Sequence, residues 1–325
     1  MSIVAGCSDA TEKTVVNVVP AGSLLGPMET MEAEYEALHP DIDIRSEGGH
    51  GSIQCIRQVT DLHRDFDVVI VADESLIPDM MYIPPREDGN ETYAVSYTPL
   101  ARNEMVITYT NLSRYNDEIT EENWMEILCR PDVRTGISNP MLDAAGYRGL
   151  MVLLLAENHY GTEGLFDTIV TRNLAQEPVV VRNGSAAEVI LPEMMKTSGP
   201  GLVIRDGSVH LLSLLEAGGI DYAFEYRSVA EEHRLHALSL PPEIDLSSPA
   251  YADLYDDINV SLCYQRFSSI GSERTGRPIV YGITVPTTAT HPKEAEEFAA
   301  FVLQSMAAGY DTWPPRPYSV TNIQS

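Results

Sequence analysis

The stretch Thr14-Val15-Val16-Asn17-Val18-Val19-Pro20-Ala21-Gly22-Ser23-Leu24 decides the fold. Four valines around Asn17 form a buried-strand run, Ala21-Gly22-Ser23 breaks it, and an amphipathic stretch follows from Leu24 to Leu38. The same order recurs twice. Ile42 to Arg45 reads as a short strand, Gly48 to Ser52 as a glycine-rich turn, and Ile53 to His63 as a helix; Phe66 to Ala72 is a third strand, with a helix from Glu74 to Met81. Three β-α units in series predict an α/β protein built on a parallel, doubly wound sheet.

Beyond Pro84-Pro85 a second set of elements begins with Arg102 to Tyr109, read as one strand. Trp124 to Cys129 is helical, Thr135 to Ser138 a short strand, and Tyr147 to Tyr160 a long apolar helix. Alternating valines between Glu177 and Pro200 indicate a hairpin. Leu211 to Ala217 is a helix, Ile220 to Tyr226 a strand, Arg277 to Pro286 another strand, and Pro292 to Met306 an amphipathic helix. A length of 325 residues suits two lobes of roughly 100–200 residues each.

Charge narrows the function. Forty-eight acidic residues against 21 basic leave a formal net charge of −27, and Lys13, Lys196 and Lys293 are the only lysines. Such a surface repels nucleic acid phosphates, so no nucleic-acid partner is expected. It suits a saline, halophilic setting, where a short Debye length screens self-repulsion. The cysteines Cys7, Cys55, Cys129 and Cys263 show neither a CxxC pair nor zinc-ligand spacing with histidines. Cys7 closes Ile3-Val4-Ala5-Gly6-Cys7, the small-residue-then-cysteine form of a lipoprotein processing site, and a polar tether follows it. Residues 1–13 are therefore read as anchor and tether, with the protein held on the outer face of the cell membrane.

Two turns carry the chemistry. Gly22-Ser23 and Gly51-Ser52 each sit between a strand and the first turn of a helix, where free N–H groups, the positive end of the helix dipole and a hydroxyl make an anion site without net charge. In an open α/β sheet both should face the crevice at the carboxyl ends of the strands. Either serine alone serves equally well as an ordinary helix cap. Ser138 to Arg148 repeats the strand-turn-helix order with Asp143 as a candidate cap or ligand. The eight histidines form no HExxH motif, and GxSxG, GxGxxG and GxxxxGK[ST] are absent, so neither an enzyme nor a cofactor is indicated. His50, in its glycine turn, is the best single candidate for a constellation made only in three dimensions.

Taken together, Ala21-Gly22-Ser23-Leu24, Gly51-Ser52 with Ile56-Arg57-Gln58-Val59-Thr60, Ala101 to Tyr109, Ser138-Asn139-Pro140 to Met151, Leu215 to Ala230, Pro242 to Pro249 and Thr275 to Pro286 give the chain its resemblance to the archaeal tungstate- and molybdate-binding proteins of ABC importers. The resemblance spans nearly the whole chain, in order. It implies a type II periplasmic-binding-protein fold of two α/β lobes, 14–101 plus 280–325 and 102–279, each a mostly parallel sheet flanked by helices, with the ligand in the cleft between them. It further implies a monomer that delivers tungstate or molybdate to a membrane permease. Ser23 and Ser52 match the family's oxyanion-binding serines, Asp143 its aspartate that approaches the metal of the anion, and Tyr226 its tyrosine. Where the family has a second metal-approaching glutamate this chain has Ser208, with Asp206 within a small shift of it, and His50 resembles a one-residue insertion. Sulfate or phosphate as ligand, and an enzyme or sensor on the same fold, remain alternatives at this stage.

Overall fold

The computed structural model describes residues 13–82, 91–262 and 273–309. The first half of the chain runs β1 (Thr14–Pro20), α1 (Leu25–Leu38), β2 (Ile42–Ser46), α2 (Ser52–Thr60), β3 (Val68–Val71), α3 (Leu76–Met81), β4 (Thr98–Arg102), β5 (Met105–Tyr109), α4 (Trp124–Leu128), β6 (Thr135–Ser138) and α5 (Ala144–Tyr160). There follow α6 (Leu165–Ile169), β7 (Val179–Asn183), β8 (Ala186–Ile190), β9 (Leu202–Arg205), α7 (Val209–Glu216), β10 (Tyr222–Tyr226), α8 (Arg227–Glu232) and β11 (His236–Leu238). The chain closes with α9 (Ala252–Asp256), β12 (Ile258–Ser261), β13 (Glu273–Thr275), β14 (Val280–Thr284) and α10 (Pro292–Ala308).

These strands form three sheets, ordered β2-β1-β3-β14-β4, β11-β5-β10-β6-β9 and β13-β12-β8-β7. In the first, β1 pairs in parallel with β2 and β3, as the three β-α units require. The return strand β14 then joins β3 antiparallel and carries β4 antiparallel on its other side. The second sheet is mixed in the same way: β10 is antiparallel to β5 and parallel to β6. The valine alternation before Pro200 does form a hairpin, β7–β8, but inside a third sheet completed by β12 and β13.

The single strand expected over Arg102 to Tyr109 is in fact two. β4 ends at Arg102 in the first sheet and β5 starts at Met105 in the second, so Asn103 and Glu104 carry the chain across. No glycine or proline marks the break. The side chain of buried Asn103 supplies part of what the interrupted ladder lacks, its Oδ1 accepting the Glu104 amide at 3.0 Å, while its Nδ2 donates to Ser228 Oγ at 2.7 Å and to Tyr281 Oη at 3.2 Å. Helix α5 is buried nearly all round from Ala144 to Glu157, which explains its lack of a polar stripe, and Gly161 ends it in the left-handed conformation at φ 61°. Among the described residues no helix is long and apolar enough to cross a membrane.

Candidate functional site

The two glycine-serine turns lie side by side. The Gly22 amide donates to the His50 carbonyl at 2.9 Å, which ties the turn after β1 to the turn before α2. His50 contributes through this carbonyl, while its ring lies 3.5 Å from Glu47. Ser23 falls in a short 3-10 turn ahead of α1, its Oγ 2.9 Å from Tyr281 Oη. Ser52 is the first residue of α2, and its Oγ accepts the Ala72 amide at 3.0 Å, leaving its own hydrogen to be donated elsewhere. Neither serine caps its helix. The cap of α2 is Gly51, whose amide is held by the Gln54 side chain at 3.0 Å.

The loop before α5 docks on that helix start. Leu142 O accepts from the amides of Ile53 and Gln54 at 3.1 and 3.2 Å. A side chain at Gly51 would place its Cβ 2.6 Å from Asp143 Cβ and against the Leu142 carbonyl, so only glycine allows the approach. Gly22 is similarly close to Val209 at the start of α7, 3.0 Å for the corresponding Cβ. Both turns of the first sheet are thus covered by residues of the second-sheet side.

Asp143 is buried there. Its Oδ2 accepts the Ser208 amide at 2.9 Å. Burial pushes its carboxyl above the usual range, opposed by the Ser138 hydroxyl and the amides of Ser208, Ser52 and Ala145 that face it. Ser208 in turn donates from Oγ to Glu225 Oε1 at 3.0 Å, and the same oxygen accepts the Tyr226 amide at 2.8 Å. Asp206, the carboxylate next to Ser208, is exposed; the carboxyl that meets Ser208 is Glu225.

Tyr226 Oη accepts from Arg148 Nη1 at 2.7 Å. This arginine is buried in α5 and also donates to the Ala72 carbonyl at 2.8 Å, while its Nη2 stands 3.4 Å from Asp73 Oδ2. Tyr147 donates to the same Asp73 oxygen at 2.6 Å. Burial alone would raise Asp73, but Arg148, Tyr147 and Ser75 outweigh it and hold the carboxyl below its ordinary value. An ion pair therefore joins the end of β3 to the first turns of α5.

Ser23, Ser52, Asp143, Ser208 and Tyr226, with Gly22 and Gly51, are linked in this way through Tyr281, Ala72 and Arg148 at the junction of the first and second sheets. Sequence reading missed Glu225, Arg148, Asp73, Asn103 and Tyr281. Two of them had a visible signal: Glu225 is the one charged residue in Tyr222-Ala223-Phe224-Glu225-Tyr226, and Arg148 stands alone at the head of an apolar helix. A cavity of about 150 Å³ bordered by Leu128, Arg130, Val133, Ile169 and Pro200 includes none of the site residues.

A family model described as a bacterial extracellular solute-binding protein matches residues 16–309. A solute-binding protein of Methanoculleus marisnigri is 40% identical over 297 residues, covering 90% of this chain and 79% of that one. The molybdate/tungstate-binding protein of Thermococcus kodakarensis is 37% identical over 299 residues, covering 90% and 78%. Among solved structures, the periplasmic molybdate-binding protein of Azotobacter vinelandii superposes with a TM-score of 0.54 at 16% identity, covering 88% of this chain and 92% of that one. At that identity the likeness speaks for the two-lobed fold.

Proposed function

The chain belongs to the bacterial extracellular solute-binding protein family, and we propose that its cleft captures tungstate or molybdate and hands the oxyanion to an ABC permease in the membrane. The observation that carries this reading is the meeting of Ser23, Ser52, Asp143, Ser208 and Tyr226 at one buried junction, in a chain related to a molybdate/tungstate-binding protein. Ser23 and Ser52 donate hydroxyl hydrogens to anion oxygens, and Gly22 and Gly51 let the backbone approach closely. Hydrogen bonds to a charged partner are stronger than neutral ones, so a few preorganised donors give useful affinity without a net positive charge. Of the described residues, we assign those within 14–101 and 280–325 to one lobe and those within 102–279 to the other. They close over the anion, and the closed monomer docks on the permease.

Titration with tungstate, molybdate, sulfate and phosphate tests the reading. Binding adds RT ln(1 + [L]/Kd) to stability, so tungstate or molybdate should raise the melting temperature most, with no chemical change in the anion. Preference for sulfate or phosphate would transfer the site to that ligand, and turnover would replace a binding protein with an enzyme. Ser23→Ala and Ser52→Ala should each weaken tungstate binding by about 1–3 kcal/mol, the range for losing a hydrogen bond to a charged group. Unchanged affinity in both variants would return the serines to a structural role.

Cys7, which lies outside the described residues, we assign as the lipid attachment site. Wild type should sediment with membranes, and Cys7→Ser should be released in soluble form. Free solubility of the wild type in cells would remove the anchor.

A further inference from the structure

We propose that Glu225 is itself an anion-binding residue of this cleft, its free Oε2 oxygen donating a hydrogen bond to the bound dianion from a neutral carboxyl group. The inference rests on the oxyanion reading above. Both oxygens of Glu225 are buried in β10, but they differ. Oε1 accepts twice, from the Tyr226 amide at 2.8 Å and from Ser208 Oγ at 3.0 Å. Oε2 has no hydrogen-bond partner among the described residues.

An ionised carboxylate buried without a cation costs several kcal/mol, and among the described residues no lysine or arginine pairs with Glu225. Burial pushes its carboxyl up to about 8, with the Tyr226 amide and Ser208 hydroxyl opposing the rise and Asp143 adding to it. At neutral pH the group keeps its proton. Since Oε1 is already occupied as a double acceptor, the proton sits on Oε2, where it is a buried donor without an acceptor. A dianion supplies that acceptor.

The position suits the role. Ser208 joins Glu225 to Asp143 by its two ends, the hydroxyl to one and the amide to the other, and Tyr226 is the next residue in the chain. The groups that face Glu225 are Asp143 from the start of α5, Tyr281 from β14, and Tyr226 with Arg148 behind it. Val106 of β5 stands opposite in register and brings no charge. Burial raises both tyrosines above their ordinary range, and Arg148 stays charged because Tyr226, Asp73 and Tyr147 outweigh the burial that would lower it. A charged Glu225 beside Asp143 would put two carboxylates against a dianion; a neutral one turns repulsion into a hydrogen bond.

Calorimetric titration with sodium tungstate and, separately, sodium sulfate at fixed high salt tests this. Wild-type affinity should fall about tenfold between pH 7 and pH 9 as the carboxyl loses its proton. Glu225→Gln presents an amide donor of the same shape, so it should bind within about threefold of wild type at pH 7 and show a nearly flat profile. Glu225→Ala should lose about tenfold at pH 7. A Gln profile as steep as wild type, or an Ala variant that binds as tightly, overturns the proposal. Should the Ala variant not fold, the two pH profiles decide alone. If wild type binds neither anion, the oxyanion reading fails and takes this inference with it; if wild type binds with a flat pH profile, or Glu225→Ala matches it at pH 7, only this inference fails.

Discussion

Replacing Arg148 with leucine is expected to lower the unfolding free energy by about 3–5 kcal/mol, the cost of leaving one member of a buried ion pair without the other. The stranded group is Asp73, which would keep the hydrogen bonds from Tyr147 and Ser75 and the charge of Arg274. The Ala72 carbonyl and Tyr226 hydroxyl would lose a donor in the same step. Because these contacts span the two sheets, the loss should also loosen closure and weaken tungstate binding. Urea unfolding of Arg148→Leu, Asp73→Asn and the double variant forms the cycle that isolates the pair, and the double variant should be more stable than the sum of single losses predicts. Additive losses would mean that Arg148 stabilises through packing and its bonds to Ala72 and Tyr226, without coupling to Asp73.

The pH dependence has a definite sign. Asp73 is held below its ordinary value, so the stability it contributes is in place above about pH 4 and is lost as pH falls through the depressed folded value. Wild type should therefore lose stability on acidification through that window. Arg148→Leu, lacking the cation, should show a shallower acid limb.

What the sequence revealed about this molecule was what is local. Valine runs, glycine turns and helix starts at Gly22-Ser23 and Gly51-Ser52 depend on neighbours a few residues away, and the elements appear there. The antiparallel entry of β14 between β3 and β4 depends on chain about 200 residues downstream, and nothing near Val280 announces it. The third sheet is hidden for the same reason, since β8 and β12 are short and pair across some 70 residues. The crossing at Asn103 reads as continuous strand because its break is compensated by tertiary hydrogen bonds and not by a turn residue. At the site, hydroxyls on loops were legible as donors, whereas Arg148 and Glu225 acquire their roles from burial. A lone charge in an apolar segment was the only trace of that.

Asp143→Asn is expected to cost about a hundredfold in tungstate affinity and about tenfold or less in sulfate affinity. Two effects separate in this variant. The carboxylate holds the Ser208 amide on one side and faces the Ser52 amide on the other, so it joins the two sheets whatever anion is bound. Asparagine keeps one acceptor oxygen, and its NH2 group cannot accept from the second amide; that loss, about 1–3 kcal/mol, applies to every ligand. The charge acts differently on the two anions. Sulfur does not readily take further oxygen ligands, so an ionised Asp143 only repels sulfate, and removing the charge gives back part of what the lost hydrogen bond takes. Large hexavalent tungsten accepts additional oxygen, so on the proposed reading the carboxylate would contact tungstate and its removal would be a second loss. A site that must extract a scarce anion from abundant sulfate gains from a charge that repels the competitor. Competition binding of the two anions at fixed high salt measures the difference between the two losses. Equal losses would confine Asp143 to tying the turns together.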